Sequence, residues 1–182
     1  MSYHEITIAG VTRRLPIVPV NDNVSIAAFI IFGDTEIVEP CARELAAKLP
    51  PVDYLITAEA KSIPLIYEMA KVLKMPRYII ARKSQKVYMT DSISVDVQSI
   101  TTKDPQVLYL DGEDAARLKG AKVAIVDDVI STGASLAALE MLVAKAGGTV
   151  EARAAILSEG DANARDDLIV LGHLPLFIKN QN

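Results

Sequence analysis

The chain has 182 residues, 51% of them hydrophobic and 23% charged, and a formal net charge of −4. That length suits one domain with a real core, and the ordinary balance of charge and hydrophobicity excludes global disorder. The acidic balance and the lack of a basic tract argue against a main role on nucleic acid, and Cys41 alone excludes an internal disulfide or a multi-cysteine zinc site.

His4 and His173 stand far apart in the sequence and read as surface or satisfied histidines. The start MSYHEITIAG lacks a basic segment followed by a long apolar run, so no signal peptide is expected. No stretch approaches the ~20 apolar residues of a spanning helix. A cytoplasmic protein without a membrane partner is the expectation.

In chain order, EITIAG and VTRRLPIVPV read as a hairpin with Gly10 near its turn. After the apolar stretch SIAAFIIF, the residues Ile37, Val38, Cys41, Ala42, Leu45, Ala46 and Leu49 recur at helical spacing from Thr35 to Leu49. Pro40 should then lie in the first turn of that helix or mark its start. From Asp53 the pattern alternates. DYLITA is a strand, Ser62 to Lys74 a helix with Pro64 near its start, and RYIIA at 77–81 a strand. Within the polar stretch that follows, SISVDV alternates like a strand. QVLYL at 106–110 and the short helix EDAARLKG come next. KVAIVDD is the most strand-like segment; a helix opens at Gly133 and stops at Gly147-Gly148. TVEARAAIL and LIVLG are the last predicted strands, before HLPLF and a polar tail. Apolar strands alternating with helices predict an α/β fold with a mainly parallel sheet covered on both faces.

The chemistry concentrates in VAIVDDVISTGAS, residues 123–135. A strand ends on two adjacent aspartates, a turn of small and hydroxyl residues follows, and a helix opens at once. Ligands of open α/β sheets bind at this edge. In Ser131, Thr132, Gly133, Ala134 and Ser135, small side chains let backbone amides reach a phosphate, hydroxyls add donors, and the helix N-terminus adds partial positive charge. Asp127 and Asp128 repel each other unless they meet hydroxyl donors or a cation. A ribose 5-phosphate supplies both kinds of partner.

That string resembles the phosphoribosyl pyrophosphate-binding signature of type I phosphoribosyltransferases, and the resemblance extends roughly from Ala27 to Leu157. It implies a core of about five parallel strands flanked by helices in a single domain, with a small hood at 1–33 and the core at 34–182. It implies that Asp127 and Asp128 serve catalysis by anchoring the ribose, while residues 131–135 hold the 5-phosphate. TAEAKS at 57–62 looks like the pyrophosphate loop, its Glu59, Ala60 and Lys61 resembling the Glu-x-Arg element of adenine phosphoribosyltransferases, with Ser62 where the family usually has Gly. Arg82, Lys83 and Lys86 match the cationic Arg-Lys-x-x-Lys pattern of purine members, which contacts pyrophosphate, sometimes from a neighbouring subunit. Ser84 to Asp104 is placed like the mobile loop that closes over the reaction centre and excludes water.

The family further implies purine salvage with Mg²⁺ held by substrate and water, with no direct protein ligand, and a homodimer. Its partners would be phosphoribosyl pyrophosphate and a purine base. The adenine branch carries a Leu-Glu-Tyr element in the mobile loop, but here the loop reads SVDVQSITTK, and SITTK is closer to the Ser-x-Thr-Lys element of xanthine enzymes. Adenine is taken first because Glu59-Ala60-Lys61 and Arg82-Lys83-x-x-Lys86 resemble the adenine branch, and the SITTK run makes xanthine or another 6-oxopurine the alternative. A non-catalytic regulator that senses phosphoribosyl pyrophosphate is the second alternative. A P-loop kinase and a Rossmann dehydrogenase are set aside, since neither glycine motif is present.

Overall fold

A computed structural model describes residues 2–97 and 106–178. The expected N-terminal hairpin is present: β1 (Tyr3–Ile8) pairs antiparallel with β2 (Val11–Pro19), with Ile8 opposite Val11. Both turn residues have positive φ, Ala9 at 49° and Gly10 at 78°, as a tight two-residue hairpin turn requires. β3 (Val24–Ala27) continues this sheet. Its fourth strand, β11 (Leu176–Ile178), comes from the opposite end of the chain and pairs antiparallel with β3. Three residues are too few to show a periodic signal, so HLPLF gave no hint of this strand.

The second sheet is five-stranded and parallel. It contains β4 (Tyr54–Ala58), β5 (Ile79–Ala81), β8 (Lys122–Ile130), β9 (Thr149–Glu159) and β10 (Ile169–Leu174), in the order β10-β9-β8-β4-β5. Alternate residues of each strand point to opposite faces, and here both faces are buried. Leu55, Ala124, Val126, Ala154 and Ile156 pack toward α1 (Thr35–Lys48), α2 (Ile63–Val72) and the inner hood residues Ile8 and Leu15. Ile56, Val123, Ile125 and Ala155 pack toward α3 (Gly112–Leu118) and α4 (Ala134–Lys145). This is the α/β sheet that the alternating sequence predicts.

A separate antiparallel ribbon joins β6 (Ile93–Val97) to β7 (Gln106–Leu110), and a bridge between Arg82 and Tyr109 ties it to the end of β5. SISVDV is thus a strand, as its alternation indicates. Of the segment expected to close over the site, residues 84–97 are described; residues 98–104, including SITTK, lie outside the described residues.

Two boundaries differ from expectation. Pro40 lies inside α1 and does not mark its start. Its missing N–H costs one helical hydrogen bond at the Glu36 carbonyl, while the start is fixed upstream by Asp34. β8 also continues beyond the aspartates to Ile130, because Val129 and Ile130 still pair with Leu157 and Ser158 of β9.

Asp34 links the hood to the core. Its Oδ1 accepts the Ile37 amide at 3.3 Å as the helix cap, and its carboxylate binds the Arg13 guanidinium of β2 at 2.7 and 2.8 Å. The Arg13 hydrogen bond holds the Asp34 carboxyl below the usual range. Asp34→Ala removes cap and pair together and should cost about 1–2 kcal/mol, lowering the thermal midpoint by roughly 2–8 °C. Asp34→Asn should recover the cap's share, and an alanine variant that melts with the native chain would contradict this role.

Candidate active site

The carboxyl ends of β4, β8 and β9 meet at one edge of the parallel sheet, where the hood lies closest. At the end of β8 the chain turns through residues 131–133 and enters α4. Gly133 is the residue before the helix, with φ of 78°, a left-handed conformation that costs an L side chain about 1–2 kcal/mol. No side chain caps this helix, so the amides of its first turn keep their hydrogen-bonding capacity. Ser131, Thr132 and Ser135 are exposed around it. Together with Asp127, Val129 and Ala134, they line a small cavity of about 50 Å³. Amides, hydroxyls and the positive helix end converge there, which is the chemistry of a phosphate cradle.

The two aspartate side chains remain close enough to interact directly. Asp127 lines the loop cavity, and its Oδ1 accepts the Asp128 amide at 2.9 Å. Asp128 is 3% exposed, and the Lys61 ammonium sits 2.5 Å from its Oδ2. Burial, and then the neighbouring Asp128 charge, push the Asp127 carboxyl well above its ordinary range.

Lys61 arrives from the turn between β4 and α2 and also donates to the Phe29 carbonyl at 3.2 Å. The sequence pointed it at pyrophosphate; in the structure it bridges Asp128 and the hood backbone. Ser62 is buried, its hydroxyl 2.7 Å from that of Thr57, and so fixes the turn from within. Ala60 contributes its carbonyl to the Ile63 amide at 3.3 Å.

Glu59 faces the cationic cluster. Its carboxylate pairs with Arg82 at 3.1 Å and accepts the Lys83 amide at 3.1 Å, and the Arg82 hydrogen bond lowers its pKa. Arg82 also donates to the Tyr88 hydroxyl. The Lys83 side chain is exposed, and Lys86 reaches the Ser84 hydroxyl at 2.5 Å. The structure thus joins Glu59 with Arg82 and Lys83, and Lys61 with Asp128.

A second cavity, about 380 Å³, lies between the hood and the sheet edge. Ala27, Phe29 and Ile30 form one side; Val129, Leu174, Ser131, Lys61 and Glu159 form the rest. Glu159 was missed in the sequence. It ends the apolar run of β9 just before Gly160, and a strand read as stopping at Leu157 hides an acid at the same edge as Asp127. A larger cavity of about 530 Å³ lies between α1 and α2. It contains none of the strand-end residues, and its Lys71 and Glu68 already pair with each other.

This fold and site define an α/β protein with a candidate phosphate cradle at the carboxyl edge of a parallel sheet. The model of the phosphoribosyl transferase domain matches residues 38–170, and the chain belongs to that family. It is similar to the hypoxanthine/guanine phosphoribosyltransferase of Methanococcus voltae, 33% identical over 114 residues, covering 63% of this chain and 57% of that one. A relative of the same name from a Methanocaldococcus species is 33% identical over 132 residues, covering 69% and 63%. The chain therefore spans less than two thirds of the length of these relatives.

Among solved structures, the adenine phosphoribosyltransferase of Thermoanaerobacter pseudethanolicus superposes with a TM-score of 0.71 at 19% identity, covering 87% of this chain and 95% of that one. The adenine enzyme of Trypanosoma brucei, in complex with AMP, pyrophosphate and ribose-5-phosphate, gives 0.59 at 19%, covering 79% and 67%. At this identity the likeness establishes the fold.

The raised Asp127 carboxyl has a consequence for stability. The folded state holds its proton more tightly than the unfolded chain, so this group's contribution is complete below about pH 4 and is lost as pH rises toward neutrality. Asp127→Asn should accordingly melt higher than the native chain at pH 8, by about 1 kcal/mol or more. The gain should shrink as pH approaches 4. Equal midpoints at pH 8 would mean that Asp127 carries no such penalty.

Proposed function

We propose that the chain transfers the 5-phosphoribosyl group of phosphoribosyl pyrophosphate to a purine base, adenine first, releasing pyrophosphate and a nucleoside monophosphate for purine salvage. One observation carries this reading. Val129 and Ser131 line both the loop cavity and the hood cavity, so a phosphate cradle and an apolar slot share a wall. A ribose joining the two would place its base against the hood and its 5-phosphate in the loop.

In this reading residues 131–135 hold the 5-phosphate, and Asp127 and Asp128 take the ribose hydroxyls. Those hydroxyls compete with Lys61 for Asp128 and free its ammonium for pyrophosphate. Arg82, Lys83 and Lys86 add positive charge there, with Glu59 orienting Arg82. The departing pyrophosphate leaves positive charge on the sugar, so the protein's work is to position the reactants and stabilise the leaving charge. Among the described residues, no group of three or more His, Cys, Asp or Glu is gathered to hold a metal. In this proposal Mg²⁺ would be held mainly by the substrate and water and would supply positive charge toward pyrophosphate. A cytoplasmic homodimer of single-domain subunits completes the proposal.

The archaeal relatives are named for hypoxanthine and guanine, which supports a second reading with a 6-oxopurine. Both are tested by incubating the chain with phosphoribosyl pyrophosphate, Mg²⁺ and equal adenine, hypoxanthine, guanine, xanthine, uracil and orotate. AMP should form faster than any other nucleotide, by about tenfold or more, because a mismatched buried hydrogen bond costs about 1–3 kcal/mol. Faster turnover of uracil or orotate than of any purine would overturn the purine assignment, and no turnover would overturn the enzyme reading in favour of a sensor.

A further inference from the structure

We infer that Glu159 is the specificity-determining side chain of the base site, accepting a hydrogen bond from the exocyclic amino group of a 6-aminopurine. The inference rests on the reading of the hood cavity as the base site.

Glu159 is the last residue of β9 and 9% exposed, yet it lines the hood cavity. Among the described residues its carboxyl makes no hydrogen bond and no ion pair. The other charged side chain on the cavity wall, Lys61, is engaged with Asp128 at 2.5 Å and the Phe29 carbonyl at 3.2 Å. Around Glu159 the surface is largely apolar, from Ala27 and Phe29 to Val129 and Leu174. Burial accordingly raises its pKa, with the Lys61 charge opposing. A carboxylate held in such a place is an acceptor that needs an N–H donor.

Its position is fixed. Glu159 pairs with Leu174 of β10 in the sheet. The preceding Ser158 hydroxyl donates to Asn163 Oδ1 at 2.7 Å and lies 2.7 Å from His173 Nδ1. With the serine proton committed to Asn163, that ring nitrogen donates. The strand end is therefore tied on both sides, which fixes the backbone from which the carboxylate reaches the cavity.

An adenine joined to ribose through N9 has N–H donors only on its 6-amino group. That amino group is consequently what Glu159 can accept from, whereas a bare carbon at position 6 leaves the carboxylate unpaired and a 6-carbonyl sets an acceptor against it, with the donor moved to N1–H. Nucleotides isolate this contact, because the ribose phosphate is constant and only the base changes.

The experiment titrates AMP, IMP and purine riboside 5′-monophosphate, which lacks any group at position 6, into the full chain by calorimetry. The native chain should bind AMP more tightly than purine riboside monophosphate by about tenfold or more, equivalent to about 1.4 kcal/mol. Glu159→Leu should bring the two within about twofold. Glu159→Gln, which keeps an acceptor oxygen, should retain part of the preference. An AMP preference unchanged in the leucine variant would overturn the inference while leaving the site in place, as would tighter native binding of IMP than of AMP. Failure of the native chain to bind any of the three would sink the reading of the site itself, and the inference with it.

Discussion

The ion pair between Lys61 and Asp128 is the contact on which the arrangement of the site depends. Asp128 is almost fully buried at the end of β8, where a lone carboxylate would be costly. Among the described residues its cationic partner is Lys61, whose ammonium also holds the Phe29 carbonyl. One side chain thereby joins the central strand, the turn after β4 and the chain leaving β3. The hood stands over the sheet edge partly through this bridge and partly through Arg13 and Asp34 on its other flank. Both links depend on a charged side chain, and both end on a segment proposed to touch substrate or to frame it.

The same geometry divides the labour between scaffold and site. The parallel sheet buries both faces with aliphatic side chains, leaving its carboxyl edge as the place where polar groups converge. Of the two adjacent aspartates, Asp127 lines the loop cavity and Asp128 pairs with Lys61, while their carboxylates stay close enough to interact. Their interaction is recorded in the raised Asp127 carboxyl, a strain that ribose hydroxyls would relieve.

Much of this was legible in the sequence, for identifiable reasons. Residues 123–135 announced strand, turn and helix because an apolar run, a hydroxyl-rich turn and a helical repeat follow one another without interruption. SISVDV was legible by alternation alone. Where partners are distant in sequence, the signal fails. β11 is three residues long and gains its identity only by pairing with β3. Glu59 reads as part of a pyrophosphate loop, whereas its carboxylate faces Arg82, 23 positions away and brought near by the pairing of β4 with β5. Glu159 lay beyond the point where the strand was taken to stop, and nothing local marks it as facing a cavity. Pro40 was misplaced because a helix whose start is capped by Asp34 can tolerate a proline further in.

The central claim is that the end of β8 and the turn into α4 bind a ribose 5-phosphate. Calorimetric titration of ribose 5-phosphate into the native chain and into the Asp127→Asn, Asp128→Asn double variant tests it most directly, with circular dichroism to confirm that both are folded. The account predicts saturable binding to the native chain and at least about a tenfold weaker affinity in the double variant, since hydrogen bonds to charged groups contribute about 1.5–3 kcal/mol. Equal affinities in the two proteins, or no binding to the native chain, would contradict it.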